Sequence, residues 1–449
     1  MNNINNDNIF DLIIIGGGPG GVDGAIKASK NGLKTLLIEK DELGGTCLNH
    51  GCIPTKSYYA SSDLINRLNK SDSLGINANY SFDFSKIKSR KDEVIKALNE
   101  GTKFSLEKSN VTVIKGIAKI HNSEEKIVKV NDDFYKANNI IIATGSKELI
   151  IPIKGNKKLL TSTDLLDLET LPKSLTIIGG GVIGVEFASI LKLLGVETTI
   201  IELQKTILPN LDSEIVRRLT NYLKQLGVKI IANSKVIEVG DDKLIYVTND
   251  KEVEIEVDEV MLSVGRIPNI SDLGLDNVNI NYDKKGIIVN DNFETNVKGI
   301  YAIGDCIGKM MLAHFASASS EKVVDVILNK PNFTNFNLIP SVVFTFPEVA
   351  SIGLTEDYLK ENNIDYISNK YLYRANGKAL ASGETDGFIK VLVADGKIVG
   401  AHIIGSEASL LIHEAMVVMN ANLKITEVSD YIFAHPTLSE IFKSSIRIE

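Results

Sequence analysis

Cys47 and Cys52, with four residues between them, stand in the run Gly44-Gly45-Thr46-Cys47-Leu48-Asn49-His50-Gly51-Cys52-Ile53-Pro54-Thr55-Lys56. A close pair of cysteines can clip a metal, staple a fold or exchange two electrons with an external disulfide. The metal reading is weak, because no second Cys or His pair lies at zinc-ligand spacing. A structural framework is disfavoured, because the 449-residue chain has only three cysteines, the third being Cys306. That scarcity makes a reducing cytoplasm the default. For Cys306, beside Asp305 at an apolar strand end, a buried small hydrophobe is the better reading than a third redox thiol. Two-electron exchange by Cys47 and Cys52 needs three further things: a redox cofactor, a second electron carrier and a proton acceptor.

Histidine suits the last task because it titrates near neutrality. Six are present. His121, His402 and His413 lie in ordinary strand or helix contexts, where packing or surface roles are the simpler reading. His435 differs. In Ala434-His435-Pro436-Thr437-Leu438-Ser439-Glu440 a loop histidine is followed, five positions on, by an acid at a helix start. Such an acid can fix the tautomer of the base.

The carriers are legible in an internal repeat. Asp11-Leu-Ile-Ile-Ile-Gly-Gly-Gly-Pro-Gly-Gly21 and Leu175-Thr-Ile-Ile-Gly-Gly-Gly-Val-Ile-Gly-Val185 each read as a buried strand entering a glycine loop. The G-x-G-x-x-G positions are Gly16, Gly18 and Gly21, then Gly179, Gly181 and Gly184. Each loop leads into a helix and then a second apolar strand ending in an acid, Glu39 or Glu202, at the same distance from the first glycine. The glycines make the tight turn, admit a pyrophosphate and let helix pack on strand, while the acid accepts bonds from a ribose diol. The pyrophosphate rests on the helix N-terminus. One such loop is weak evidence; two in register imply two dinucleotide-binding domains. Leu203-Gln204-Lys205 after Glu202 offers no arginine pair for a 2′-phosphate, so NAD is expected over NADP.

Bulk properties agree. The length suggests about three domains. Composition is that of a globular protein, 44% hydrophobic and 24% charged. A net charge of −8 argues against nucleic acid as the main partner. Met1 to Asn8 is polar and carries no signal-like apolar stretch. Apolar runs are strand-length, so no membrane span is expected.

Taken together, these motifs resemble the pyridine nucleotide–disulfide oxidoreductases from about Ile9 to Lys443, in the family's order. Thr295-Asn-Val-Lys-Gly-Ile-Tyr-Ala-Ile-Gly-Asp305 is similar to that family's second flavin fingerprint, which implies that Asp305 holds the flavin ribityl chain. Ile142-Ala143-Thr144-Gly145 and Val264-Gly265-Arg266-Ile-Pro268-Asn269 resemble its two interdomain linkers. The resemblance implies an α/β fold with two Rossmann-like domains, the second inserted in the first, and an α+β C-terminal interface domain. The implied divisions are 1–145 with 270–338 for FAD, 146–269 for NAD and 339–449 for the interface. It gives Gly45, Thr46, Lys56, Gly116, Thr144, Gly145 and Ala313 to FAD, besides the first loop and Glu39, and gives Val236 and Gly265 to NAD. Lys56 would approach the flavin with Glu186 as its partner. His314, in the flavin-contact motif, would be positional. His435 and Glu440 match the family's His-Pro-x-x-x-Glu box, which implies a homodimer with each base serving the partner's site.

Within the family the redox loop, Glu202 and a C-terminus without a cysteine pair point to the branch that oxidises protein-bound dihydrolipoamide with NAD. Its partner would be the lipoylated carrier of a 2-oxoacid dehydrogenase complex or of the glycine cleavage system, and no metal is expected. In the implied cycle Cys47 is the interchange sulfur and Cys52 the one beside the flavin. Three departures stand out: Phe433 in place of a second histidine, the run Phe315-Ala-Ser-Ala-Ser-Ser320 in place of an acidic one, and His50 inside the redox loop. Two alternatives stay open: a glutathione reductase-like enzyme using NAD(P)H, and a flavin-binding docking subunit with little turnover.

Overall fold

The computed structural model describes residues 5–155 and 159–447; the ends of the terminal segments read above, Met1–Ile4 and Ile448–Glu449, lie outside them. The chain gathers into two compact units. The first comprises Met1–Ser57, Lys88–Leu149 and Gly265–Thr334, and the second Tyr58–Ile87, Ile150–Val264 and Asn335–Glu449.

The first unit is built on a sheet in the order Thr112–Lys115, Thr35–Glu39, Ile9–Ile15, Asp133–Ile142, Ile127–Val130, Ala118–Asn122. The first four strands run parallel, and Ile300–Ala302 adds parallel to the end of Asp133–Ile142. Leu12, Ile13, Ile14 and Ile15 are all buried, as the unbroken apolar run requires of a strand covered on both faces. The helix Pro19–Lys30 begins with proline at its first turn, where the missing N–H costs nothing. It packs closely on the helix Ala313–Ile327. A Cβ on Gly24 would lie 2.0 Å from Ser320 Oγ, and one on Gly20 would lie 2.8 Å from the Ala316 carbonyl oxygen. The departure at Phe315–Ser320 has a packing reason at Ser320, which is buried against Gly24, while Phe315 is buried with its ring edge-on to Phe293.

The second unit holds three sheets. A parallel one runs Lys229–Ile231, Glu197–Ile201, Ser174–Ile178, Glu259–Leu262. A second one runs Lys251–Glu256, Lys243–Thr248, Ser234–Val239, Lys154–Gly155. The third, antiparallel, runs Ser341–Val343, Glu348–Gly353, Lys397–Gly405, Phe388–Ala394, Ile367–Leu372. A single apolar core joins Leu175, Ile190 and Leu219 of the repeat to Val343, Phe346 and Ile404 of the C-terminal segment.

Among the described residues no helix is long and apolar enough to cross a membrane.

Candidate active site

In the first unit the strand Ile9–Ile15 delivers the chain into Gly16 at a φ of +111°, where a Cβ would sit 2.3 Å from the Ala143 carbonyl oxygen. Only glycine accepts both that dihedral and that approach. A Cβ on Gly21 would fall 1.8 Å from the Gly16 carbonyl oxygen, whereas one on Gly18 meets nothing within 4 Å. Gly18 is the N-cap of Pro19–Lys30, so helix N–H groups border open space fit for an anion. Glu39 accepts the N–H of Gly17 at 2.5 Å and of Asp41 at 2.8 Å. Gly116 donates its N–H to the Glu39 carbonyl at 2.8 Å, which puts both on one strand-end edge.

The second unit repeats this geometry. Gly179 has a φ of +110° and a Cβ position 2.3 Å from the Ser263 carbonyl oxygen; the Gly184 position is 2.2 Å from the Gly179 carbonyl oxygen; the Gly181 position is open. Glu202 is buried and accepts the N–H of Gly180 at 2.5 Å and of Gln204 at 2.6 Å. The Ser234 N–H donates to the Glu202 carbonyl at 2.9 Å, which brings the strand bearing Val236 to the same edge. A carboxylate fixed there accepts from a ribose diol and repels a 2′-phosphate. Both cradles therefore fit dinucleotides. Glu186 is buried one turn along the helix Val182–Leu193 and accepts the Phe344 N–H at 2.9 Å.

The thiols belong to the first unit. Gly44, at a φ of +87°, donates its N–H to the Gly17 carbonyl at 2.7 Å, and a Cβ on Gly45 would be 2.9 Å from Gly18 Cα. The short helix Gly45–His50 thus starts against the first glycine loop, with exposed Thr46 and half-buried Cys47 in its first turn. The helix Cys52–Asn69 opens with the second cysteine, a position where helix N–H groups favour a thiolate. Lys56 follows one turn later. The sulfurs are not bonded to each other. The hydrogen bond with Cys52 and burial push the Cys47 thiol up, against the pull of the Lys56 charge. Asn49 pins the loop, donating to the carbonyls of Leu43 at 2.9 Å and Gly45 at 3.0 Å and accepting from Asn99 at 2.8 Å. His50 is exposed at the helix end.

Asp305 is half-buried in the turn Gly304–Ile307. Ser146 Oγ donates to its Oδ2 at 2.6 Å. Arg266 Nε donates to Ser146 Oγ at 2.7 Å, and its guanidinium also reaches the Ser146 carbonyl at 2.9 Å and Glu148 at 3.3 Å. Burial raises the Asp305 carboxyl, opposed by Ser146 and Arg266. The two linkers place this relay by pairing antiparallel, with Arg266 opposite Glu148 and Pro268 opposite Ser146. Thr144 and Gly145 lead into the first of these strands, and Gly145 accepts the Asn269 N–H at 2.9 Å. Exposed Gly265 accepts the Leu149 N–H at 3.0 Å. Ala313 opens the helix Ala313–Ile327. Cys306 is fully buried against the carbonyls of Ile303 and Ile142, its thiol pushed up to about 12 by burial; it is a core residue.

In the second unit His435 Nδ1 lies 3.0 Å from Glu440 Oε1, and the other Glu440 oxygen accepts the Thr437 N–H at 3.0 Å. That N–H and His435 hold the Glu440 carboxyl below the usual range. The His435 side chain is 78% exposed, which leaves Nε2 available. Phe433 packs at the edge of the C-terminal core, with Lys443 over its ring. His402, read as a packing residue, is buried and bonded to the Leu354 carbonyl at 2.9 Å.

Sequence reasoning missed Asn49, Ser146 and Arg266 as positioning residues. Ser146 and Arg266 sit in or beside recognised motifs, but nothing local signals a pairing across 120 residues.

The model of the pyridine nucleotide-disulphide oxidoreductase family matches residues 10–320, and that of its dimerisation domain matches residues 339–446. A dihydrolipoyl dehydrogenase of Chlamydia pneumoniae is 38% identical over 441 residues, covering 96% of this chain and 95% of that protein. One of Geobacillus stearothermophilus is 38% identical over 443 residues, covering 96% and 94%. Among solved structures, LpdA of Mycobacterium tuberculosis superposes with a TM-score of 0.90 at 26% identity, covering 97% of this chain and 99% of that one. The HOCl-induced flavoprotein disulfide reductase RclA of Escherichia coli does so with 0.87 at 28%, covering 97% and 99%.

Proposed function

Because the chain belongs to the pyridine nucleotide-disulphide oxidoreductase family, we propose that it oxidises protein-bound dihydrolipoamide to lipoamide and reduces NAD to NADH. The observation that carries the reading is the seating of the Cys47 helix on the first glycine loop, through the Gly44–Gly17 bond and the Gly45–Gly18 contact. A dithiol in that place borders whatever the loop binds. The curated relatives, dihydrolipoyl dehydrogenases over nearly their full length, set the substrate class.

Bound at the first cradle, FAD supplies a two-electron relay between the thiols and NAD. The chain's own residues do the rest. His435, oriented by Glu440, takes a proton from one substrate thiol. The thiolate attacks Cys47 of a Cys47–Cys52 disulfide, and Cys52 leaves as a thiolate. The second substrate thiol then displaces Cys47, closing the lipoamide disulfide and leaving the enzyme dithiol. Asp305, held by Ser146 and Arg266, anchors the flavin side chain. Glu39, Gly116, Thr144, Gly145 and Ala313 line the same cofactor, with Lys56 assigned to its reactive end and Glu186 to the polar machinery of the same reaction. Gly179, Gly181, Gly184, Glu202, Val236 and Gly265 serve NAD.

The dimerisation-domain match supports a homodimer, in which exposed His435 serves the partner's thiols. The functional division follows 1–145 with 270–338, 146–269 and 339–449. A lipoylated carrier protein as partner and a cytoplasmic location complete the proposal; the scarcity of cysteines supports the latter.

The test compares NAD-linked oxidation of dihydrolipoamide with NADPH-linked reduction of glutathione disulfide. Activity in the second alone overturns the reading, and so does full lipoamide turnover by Cys52→Ser.

A further inference from the structure

A cavity of about 410 Å³ lies in the second unit, and no residue of a glycine loop or of the cysteine-bearing helices lines it. One wall is the helix Ser213–Leu226; the other is the edge strand Ile367–Leu372 with the turn Tyr373–Ala375 that follows it. Its lining includes Arg217, Arg218, Lys370 and Arg374 against one acid, Glu214. In a chain of net charge −8 such an excess of cations is local, not general.

The single acid is already engaged. Glu214 pairs with Lys370, lies 3.5 Å from the buried Lys390 and is 3.9 Å from Arg217. The arginines are less engaged. Arg374 is exposed and makes no ion pair or hydrogen bond with the described residues. Arg218 stacks on Tyr222 and uses Nε for that hydroxyl at 3.0 Å, which keeps its guanidinium in place with its terminal nitrogens to spare. Guanidinium forks match phosphate and carboxylate oxygens in bidentate fashion. The volume is that of a small-ligand site, and several cations converging on it favour a ligand with more than one anionic group.

The cavity also has a route to the base. Asn376 directly follows the Arg374 turn, and its Nδ2 donates to the Thr437 carbonyl at 3.0 Å. The Thr437 N–H in turn holds Glu440, which holds His435. A ligand that moves the Arg374 turn therefore acts on the loop that orients the base.

We propose that this cavity binds a small polyanion, a metabolite carrying two or more phosphate or carboxylate groups, and that its occupancy alters turnover through the Asn376–Thr437 bond. The binding claim stands alone; the effect on turnover rests on the proposed dihydrolipoamide activity.

The test titrates pyrophosphate and, separately, citrate into the FAD-loaded dimer by calorimetry, with NAD saturating to occupy the dinucleotide site. Ionic strength is matched throughout with sodium chloride, because exposed charges are screened. We expect saturable binding of at least one anion and at least a ten-fold loss in the double variant Arg217→Gln/Arg374→Gln. Lipoamide turnover should change on addition of that anion to the parent enzyme and not to the variant. No saturable binding of either anion, equal binding by the variant, or binding with unchanged turnover overturns the proposal. A chain that binds the anion but oxidises no dihydrolipoamide overturns the activity reading and not the site.

Discussion

Gly181→Ala separates the fold's need for glycine from the ligand's. The Gly181 backbone is extended, with φ −73° and ψ −177°, a conformation alanine adopts freely, and the new Cβ meets no atom within 4 Å. Stability should be kept or raised by about 0.4–1 kcal/mol, because alanine loses less unfolded-state freedom. The methyl nevertheless occupies the space a pyrophosphate must approach. Crowding a close contact by one methyl costs about 1–3 kcal/mol, which corresponds to roughly a 5- to 150-fold rise in KM for NAD. Gly184→Ala is the control. Its Cβ would fall 2.2 Å from the Gly179 carbonyl oxygen, so backbone must move and the melting temperature should drop. The assay reads KM for NAD, flavin content from the visible spectrum, and the melting temperature. The reasoning is refuted if Gly181→Ala destabilises the protein as much as Gly184→Ala, or if it leaves KM for NAD within two-fold of the parent while flavin content is unchanged.

Three further outcomes are expected. Ser146→Ala removes a 2.6 Å bond to the Asp305 carboxylate, worth about 1.5–3 kcal/mol for a charged acceptor. Flavin release on dilution should rise accordingly, with Ser146→Thr restoring retention; equal retention by the alanine variant would show that the relay does not serve the cofactor. Glu440→Gln should lower kcat for dihydrolipoamide by about 10²-fold, the lower part of the range for a general base, with flavin content unchanged. Because the Glu440 carboxyl is held below the usual range, the parent's His435–Glu440 pair should persist through mildly acidic pH and fail only as that carboxyl protonates. Lys390→Met strands buried charge: Lys390 and Asp212 are 1% and 0% exposed and 2.6 Å apart, with Glu356 at 3.0 Å. The loss should be about 3–5 kcal/mol at neutral pH, read as a shift of the urea midpoint. Burial raises the Asp212 carboxyl, but Lys390 and His402 outweigh it and hold it low; Glu356 is held at about 2. Depressed carboxylates contribute stability above their unfolded values near 4, lost as pH falls through the folded ones. The penalty of Lys390→Met should therefore shrink as pH falls below about 4, and a pH-independent penalty would refute the ionic account.

The sequence by itself determined what is local and periodic. Two apolar strands followed by glycine loops could be little else, because the dihedral at Gly16 and Gly179 and the approach at Gly21 and Gly184 exclude any side chain. The acids at 39 and 202, the Cys47–Cys52 loop and the His435–Glu440 box are short-range patterns of the same kind. Only the tertiary structure decided the long-range pairings. Ser146, Arg266 and Asp305 meet because two linkers far apart in the chain pair as strands. Lys390 lies in the apolar run Phe388–Ala394, where alternation alone gives no reason for a buried cation; its reason is Asp212, 178 residues away. The inserted dinucleotide segment and the C-terminal segment share one core because their apolar faces meet in space. Spacing records which residues lie within a turn or a strand of each other, whereas contacts closed by folding leave no trace in it.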